Sequence, residues 1–315
     1  MMMKLGNTRT AFAGTLEDIM EKDPRVVMVS ADSVAVFRAA QLKERFPERV
    51  VEVGIAEQNA VAAAAGLASA GMIPFVCTYA GFSVMRACEQ MRTYVGYPGL
   101  NVKFFGANAG MYSGEREGVT HQFFEDLGIL RTVAGFRVIA PADAAQTSRA
   151  TWDAYLQDGP VYVRIGSGRD IEIYGSESEA PSTGEADILA DYGADALIVG
   201  CGGMLRSAMD AARSLKEKGV NVTVVNAACV KPLDEKGLLP FMQRSKAIIT
   251  IEDHNHIGGL GSALCELAAE KCPRKIVRMG LEDIYPESGH AEELLIKYGM
   301  SADDVERAVM RALEE

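Results

Sequence analysis

Short apolar runs rich in Val, Ile and Phe alternate, almost from end to end, with stretches whose apolar residues recur at helical spacing. Residues 26–30, 50–55, 73–79, 101–108, 136–142 and 160–166 read as strands. Between them, 11–21, 33–45, 57–70, 82–95, 123–131 and 143–156 read as helices. The strands are continuously apolar rather than alternating, which is the pattern of parallel strands covered by helices on both faces. Residues 1–171 are therefore expected to form a doubly wound α/β domain. From 172 to 194 Ser, Glu, Gly, Pro and Asp dominate, so this stretch reads as a linker that buries little, with a short edge strand near Ile188-Leu189. A second alternating set fills 195–315, with strands at 196–200, 222–226, 247–252 and 276–279. The expected fold class is thus α/β, two doubly wound domains with mainly parallel sheets.

Composition excludes several functions. The 315 residues carry a net charge of −11, whereas neutralising nucleic-acid phosphates requires a basic face. No apolar run approaches the roughly 18 residues of a membrane span, and the start Met1-Met2-Met3-Lys4-Leu5-Gly6 has no hydrophobic signal region. A cytoplasmic location is expected, without nucleic-acid or membrane partners. The six cysteines (77, 88, 201, 229, 265, 272) form no C-x-x-C pair and read as reduced thiols, not as disulfides or zinc ligands.

Chemistry is expected on loops at the carboxyl ends of the strands. Two glycine clusters follow strands, Gly200-Cys201-Gly202-Gly203 and Gly258-Gly259-Leu260-Gly261-Ser262, but neither spells a full dinucleotide fingerprint and no P-loop is present. They read as tight turns. His254 and His256 lack metal-ligand spacing and read as packing residues, and His290 as solvated. His121 is more suggestive, in the polar loop Glu117-Gly118-Val119-Thr120-His121-Gln122. Glu57 follows the strand Val50-Val51-Glu52-Val53-Gly54-Ile55 and opens an alanine-rich helix small enough to be closely covered. Its charge suits a first helical turn; held in a desolvated pocket, a carboxyl there would bind a proton more readily and become an acid or base. Tyr79, Phe82 and Met85 recur every three residues, as core or as a platform for a flat heteroaromatic ring.

Together these segments resemble the transketolase family of thiamine-diphosphate enzymes, specifically its C-terminal half. In order, the resemblance rests on Arg9, Ser30-Ala31-Asp32, Gly54-Ile55-Ala56-Glu57-Gln58, Thr78-Tyr79-x-x-Phe82, Gly118-x-Thr120-His121-Gln122, Pro141-Ala142-Asp143 and Glu252-Asp253-His254-Asn255 with the second glycine cluster. It implies a pyrimidine-binding domain over 1–171 and the family's C-terminal domain over 195–315. It implies that Glu57 hydrogen-bonds the pyrimidine of thiamine diphosphate, with Asp32, Tyr79, Phe82 and Met85 also at the cofactor. His121 would share in catalysis, and Arg9, Asn108, Glu117, His121 and Arg164 would contact a sugar. No residue is assigned to a metal.

The G-D-G segment that grips the diphosphate in this family does not occur. The resemblance therefore implies one subunit of a split enzyme. An N-terminal partner subunit would hold the diphosphate and its Mg²⁺ or Ca²⁺, in an α2β2 heterotetramer moving a two-carbon ketol unit from a ketose to an aldose. Some family positions differ. Val36 stands where a serine is usual, Ser167 where an arginine is usual (Arg164 and Arg169 lie close), Asn108 for a histidine, Glu117 for an aspartate and Met85 for an aromatic. The donor that the resemblance implies is a ketose, expected to be a sugar phosphate or a related acidic sugar. The β subunit of a 2-oxoacid dehydrogenase, a deoxyxylulose-phosphate-synthase-like enzyme and a non-catalytic assembly subunit are the alternatives.

Overall fold

A computed structural model describes residues 5–113, 117–167 and 170–314. The strands in chain order are β1 (Leu5–Gly6), β2 (Val26–Ser30), β3 (Val50–Glu52), β4 (Ile73–Tyr79), β5 (Lys103–Ala107), β6 (Arg137–Ile139), β7 (Val161–Arg164), β8 (Asp170–Ile171), β9 (Asp187–Asp191), β10 (Ala196–Gly200), β11 (Val222–Asn226), β12 (Cys229–Lys231), β13 (Ala247–Asn255) and β14 (Ile276–Leu281). One sheet has the order β12-β6-β7-β5-β4-β2-β3, parallel except for β12. Its register pairs Ser30 with both Glu52 and Cys77, and Tyr79 with Ala107, so the carboxyl ends of β2 to β5 share one edge. The second sheet runs β14-β13-β10-β11-β9, with β9 antiparallel at its edge. A small ribbon pairs β1 with β8.

Buried apolar residues such as Phe12, Leu16, Phe75 and Phe105 fill one face of the first sheet, and Val76, Phe104, Val61 and Ala64 the other. Some helices start where a side chain satisfies a free N–H group. Asn7 Oδ1 accepts from Thr10 N–H at the head of Thr8–Lys22, and Asp143 Oδ1 from Gln146 N–H at the head of Ala144–Leu156. All six cysteines are free thiols, and burial pushes the Cys229 thiol up to about 11. Among the described residues no helix is long and apolar enough to cross a membrane.

Two expectations are corrected. The 172–194 stretch is a strap rather than a loose linker. Asp143 Oδ2 accepts the N–H groups of Ile173 and Tyr174 at 2.7 Å each, and Asp153 Oδ2 accepts the N–H and the hydroxyl of Thr183. Tyr174, Ala180 and Thr183 are buried. These carboxylates pair the strap's backbone, so its polar composition does not force it into solvent. Nor is 195–315 self-contained, because β12 crosses back to pair with β6 of the first sheet.

The second block also props the first. Asp253 accepts the Met111 and Tyr112 N–H groups at 2.8 and 2.9 Å, and the buried His254 accepts Gly128 N–H at Nε2. Glu252 accepts the Leu260 and Gly261 N–H groups, filling the helix start of the second glycine cluster with the chain's own carboxylate. That cluster is a connection, as the sequence suggests, and His254 is a packing residue.

Candidate active site

β3 stops at Glu52 because that side chain folds back on its own turn. Its Oε1 accepts Asp32 N–H at 2.6 Å and Gly54 N–H at 3.0 Å. Gly54 has φ +72°, a conformation glycine adopts without steric cost. The chain then enters helix Glu57–Ser69 with Glu57 in its first turn. Glu57 is only 3% exposed. Arg86 Nη1 donates to both of its oxygens, at 2.8 and 2.9 Å. The apolar pocket expected around this carboxyl is therefore corrected to a charge-paired one. Arg86 ends the π-helical turn Phe82–Arg86, and its guanidinium carbon lies 4.3 Å from the centroid of the Phe82 ring.

Beyond Phe82 the rings continue. Tyr79 and Phe82 stand 5.6 Å apart, and the His121 ring meets both edge-on at 5.0 and 5.1 Å. Phe123 closes the row at 5.6 Å from Phe82. Gly81 makes this possible, since a Cβ there would lie 1.7 Å from the Phe123 ring. The His121 loop is shaped by a turn in which Gly118 O accepts the His121 and Gln122 N–H groups. It is buttressed from the second block, where Gln122 Nε2 donates to Glu287 O at 3.1 Å. Thr120 Oγ1 lies 3.0 Å from His121 Nδ1.

At the end of the neighbouring strand β5 lies a polar chain. Arg9 donates to Asn108 Oδ1 and, through Nε, to Gly166 O at 3.2 Å. Asn108, buried with φ +56°, donates from Nδ2 to Glu117 Oε1 at 3.3 Å. Burial raises the pKa of the Tyr79 hydroxyl, with Arg9 opposing and Glu117 reinforcing the shift. The register sets Tyr79 opposite Ala107, whose neighbour is Asn108, so the ring row of Tyr79, Phe82 and His121 and the polar chain of Arg9, Asn108 and Glu117 lie at adjacent strand ends.

Three expected residues stand apart. Asp32 is exposed with φ +55°, its N–H donating to Glu52. Met85, within the π-turn, is 45% exposed. Arg164, expected at the sugar, is nearly buried and ion-paired. Its Nε and Nη2 hold Asp126 at 3.1 and 3.0 Å, and Nη2 also donates to Phe123 O. Burial works against its charge, but Asp126 and Asp253 more than offset that, so it stays protonated. Arg169 lies outside the described residues. Sequence reasoning missed Arg86, although its i+4 spacing from Phe82 was a signal.

The chain's residues 6–168 match the transketolase pyrimidine-binding domain, and 184–305 match the transketolase C-terminal domain. The chain belongs to the transketolase family. Among its relatives, the 6-deoxy-6-sulfo-D-fructose transketolase subunit SqwH of Clostridium sp. (strain MSTE9) is 36% identical over 97% of this chain and 94% of that protein. An apulose-4-phosphate transketolase subunit of Phocaeicola vulgatus is 32% identical over 94% of each chain. A solved split-gene transketolase, an inactive β4 tetramer, superposes with a TM-score of 0.89 at 37% identity and covers 99% of each chain. The chain is the C-terminal subunit of a split transketolase, a transferase that works with a partner subunit, and transketolases of this family use thiamine diphosphate. Two transketolase subunits among its relatives favour this over the alternative readings.

The residues present fit the pyrimidine end of that cofactor. A flat conjugated cation already stacks on Phe82 while donating N–H bonds to a buried carboxylate. An aminopyrimidine offers the same flatness and the same kind of donor edge. Among the described residues, no group of three or more His, Cys, Asp or Glu is placed to hold a metal ion.

Proposed function

We propose that this subunit joins an N-terminal partner in a cytoplasmic α2β2 heterotetramer. The complex moves a two-carbon ketol unit from an acidic ketose to an aldose, with the diphosphate of thiamine diphosphate and its Mg²⁺ or Ca²⁺ held by the partner. The domains meet in the 172–194 strap. The observation that carries this reading is Glu57, a nearly water-free carboxylate at the sheet edge, sharing one planar donor with the face of Phe82. When bound, thiamine diphosphate supplies the carbon nucleophile that cleaves and re-forms the carbon–carbon bond.

The chain's own side chains bind and orient. Glu57 accepts a hydrogen bond from a proton-bearing ring nitrogen and holds that proton in a site from which water is excluded. Phe82 and Tyr79 fix the ring plane, with Asp32 and Met85 at the margin. His121, poised against both rings, and Glu117 and Asn108 hydrogen-bond sugar hydroxyls. Arg9 faces the anionic end of the sugar. The relatives' named substrates carry a sulfonate or a phosphate, which supports an acidic donor here.

The test is the reconstituted complex assayed with phosphorylated, sulfonated and unsubstituted ketoses. Two-carbon transfer is expected with an anionic ketose, and Glu57→Gln is expected to lower kcat by about 100-fold or more without disturbing assembly. Pyruvate turnover without ketose turnover, or an unaffected Glu57→Gln variant, would overturn the reading.

A further inference from the structure

Arg86 takes no part in the proposed reaction, yet it touches both groups that the ring requires. Its Nη1 bridges the two Glu57 oxygens, and its guanidinium covers the face of Phe82. The two partners of the ion pair differ sharply in access to water. The Glu57 side chain is 3% exposed and the Arg86 side chain 48%. A buried carboxylate cannot exchange its partner for water cheaply, whereas the arginine has solvent to swing into. The backbone under Arg86 is anchored separately, because Gln58 Nε2 donates to Arg86 O at 3.1 Å. The side chain therefore has freedom to move that its Cα does not. It also sits at the end of a π-helical turn, an irregularity that recurs at functional sites.

We propose that Arg86 is a surrogate for the aminopyrimidine ring, a latch that holds Glu57 and Phe82 in their binding geometry and is displaced when the ring enters. A guanidinium is planar, conjugated and edged with N–H donors, so it satisfies the stacking face and the carboxylate as the ring does. Ring and latch cannot occupy the Phe82 face together. Breaking the Glu57–Arg86 pair is then a built-in cost of cofactor binding, and Arg86 acts as a positioning residue through Glu57. This rests on Glu57 being the carboxylate of the pyrimidine site.

The test is calorimetric titration of thiamine diphosphate, with Mg²⁺ present, into the complex reconstituted with its partner subunit. Arg86→Ala is expected to lower Kd by roughly 3- to 10-fold, the scale of losing one half-exposed ion pair. Arg86→Gln, which keeps bulk but no charge, is expected to shift Kd the same way and serves if the alanine variant fails to assemble. In a Glu57→Gln background the Arg86→Ala effect should shrink below about twofold, because the pair is already gone. A merely structural arginine would not show that non-additivity. An unchanged or higher Kd in an arginine variant whose melting temperature and assembly mass match wild type overturns the latch. If Glu57→Gln instead keeps wild-type affinity and turnover, the pyrimidine-site reading itself fails, and the latch with it.

Discussion

The strand-turn-helix places Glu57 at the head of its helix, where the structure has it. The family resemblance, rather than that pattern, singles out Glu57, Tyr79, Phe82 and His121. Arg86 was not legible, because a three-residue spacing directs attention to Met85. The π-turn puts the following residue over Phe82 instead. Nor was the pairing of Arg164 with Asp126 legible, because a strand position says nothing of a partner that needs a fold to be seen. Away from the site, one carboxylate carries a pH prediction. Hydrogen bonds from the Arg25 side chain hold Asp23 down from 3.8 to about 2, burial opposes them, and the Arg25 N–H and the Tyr155 hydroxyl reinforce them. A depressed carboxyl pKa stabilises the fold above the unfolded value and loses that contribution as pH falls through the folded one. Asp23→Asn should therefore lower Tm by a constant amount from pH 5 to 8. The gap to wild type should close between about pH 4 and 2. A gap independent of pH down to 2 would show that this carboxylate is not held as described.

At the scale of elements, most strands fell where apolar runs lay, while helices were more often interrupted. The expected helix over 33–45 survives only as Ala40–Arg45, with Arg38 at φ +52° ahead of it. The one over 82–95 breaks into Phe82–Arg86, Cys88–Gln90 and Met91–Gly96, two of them π-helical. Amphipathic spacing reports which face is buried, but not the hydrogen-bond step of each turn. The alanine-rich helix Glu57–Ser69 buries Ala60, Val61, Ala64 and Ala65 within its own domain, while Gly66 stays exposed. Gly81→Ala tests the ring row. The added methyl must push Phe123 aside, which should cost about 1–3 kcal/mol of unfolding free energy and weaken the Phe82–His121 contact. Equilibrium denaturation with unchanged stability would mean the Phe123 ring lies elsewhere.

At the scale of the whole molecule, the two-block α/β plan was readable from alternation, and the coupling between blocks was not. β12 pairing with β6, and Glu287 bracing the His121 loop through Gln122, join residues far apart in sequence. No local pattern encodes such contacts. The 172–194 strap likewise depends on Asp143 and Asp153, at the cap and within the helix Ala144–Leu156. The result is a sheet edge where Glu57 and Phe82 both contact the Arg86 guanidinium, the half that the proposed reading assigns to the cofactor ring. Thiamine diphosphate titrated with Mg²⁺ into this subunit, into its partner and into their mixture measures whether that half suffices. Saturable high-affinity binding should arise only in the mixture, at one cofactor per pair of unlike subunits, whereas tight stoichiometric binding by this subunit alone would contradict the account.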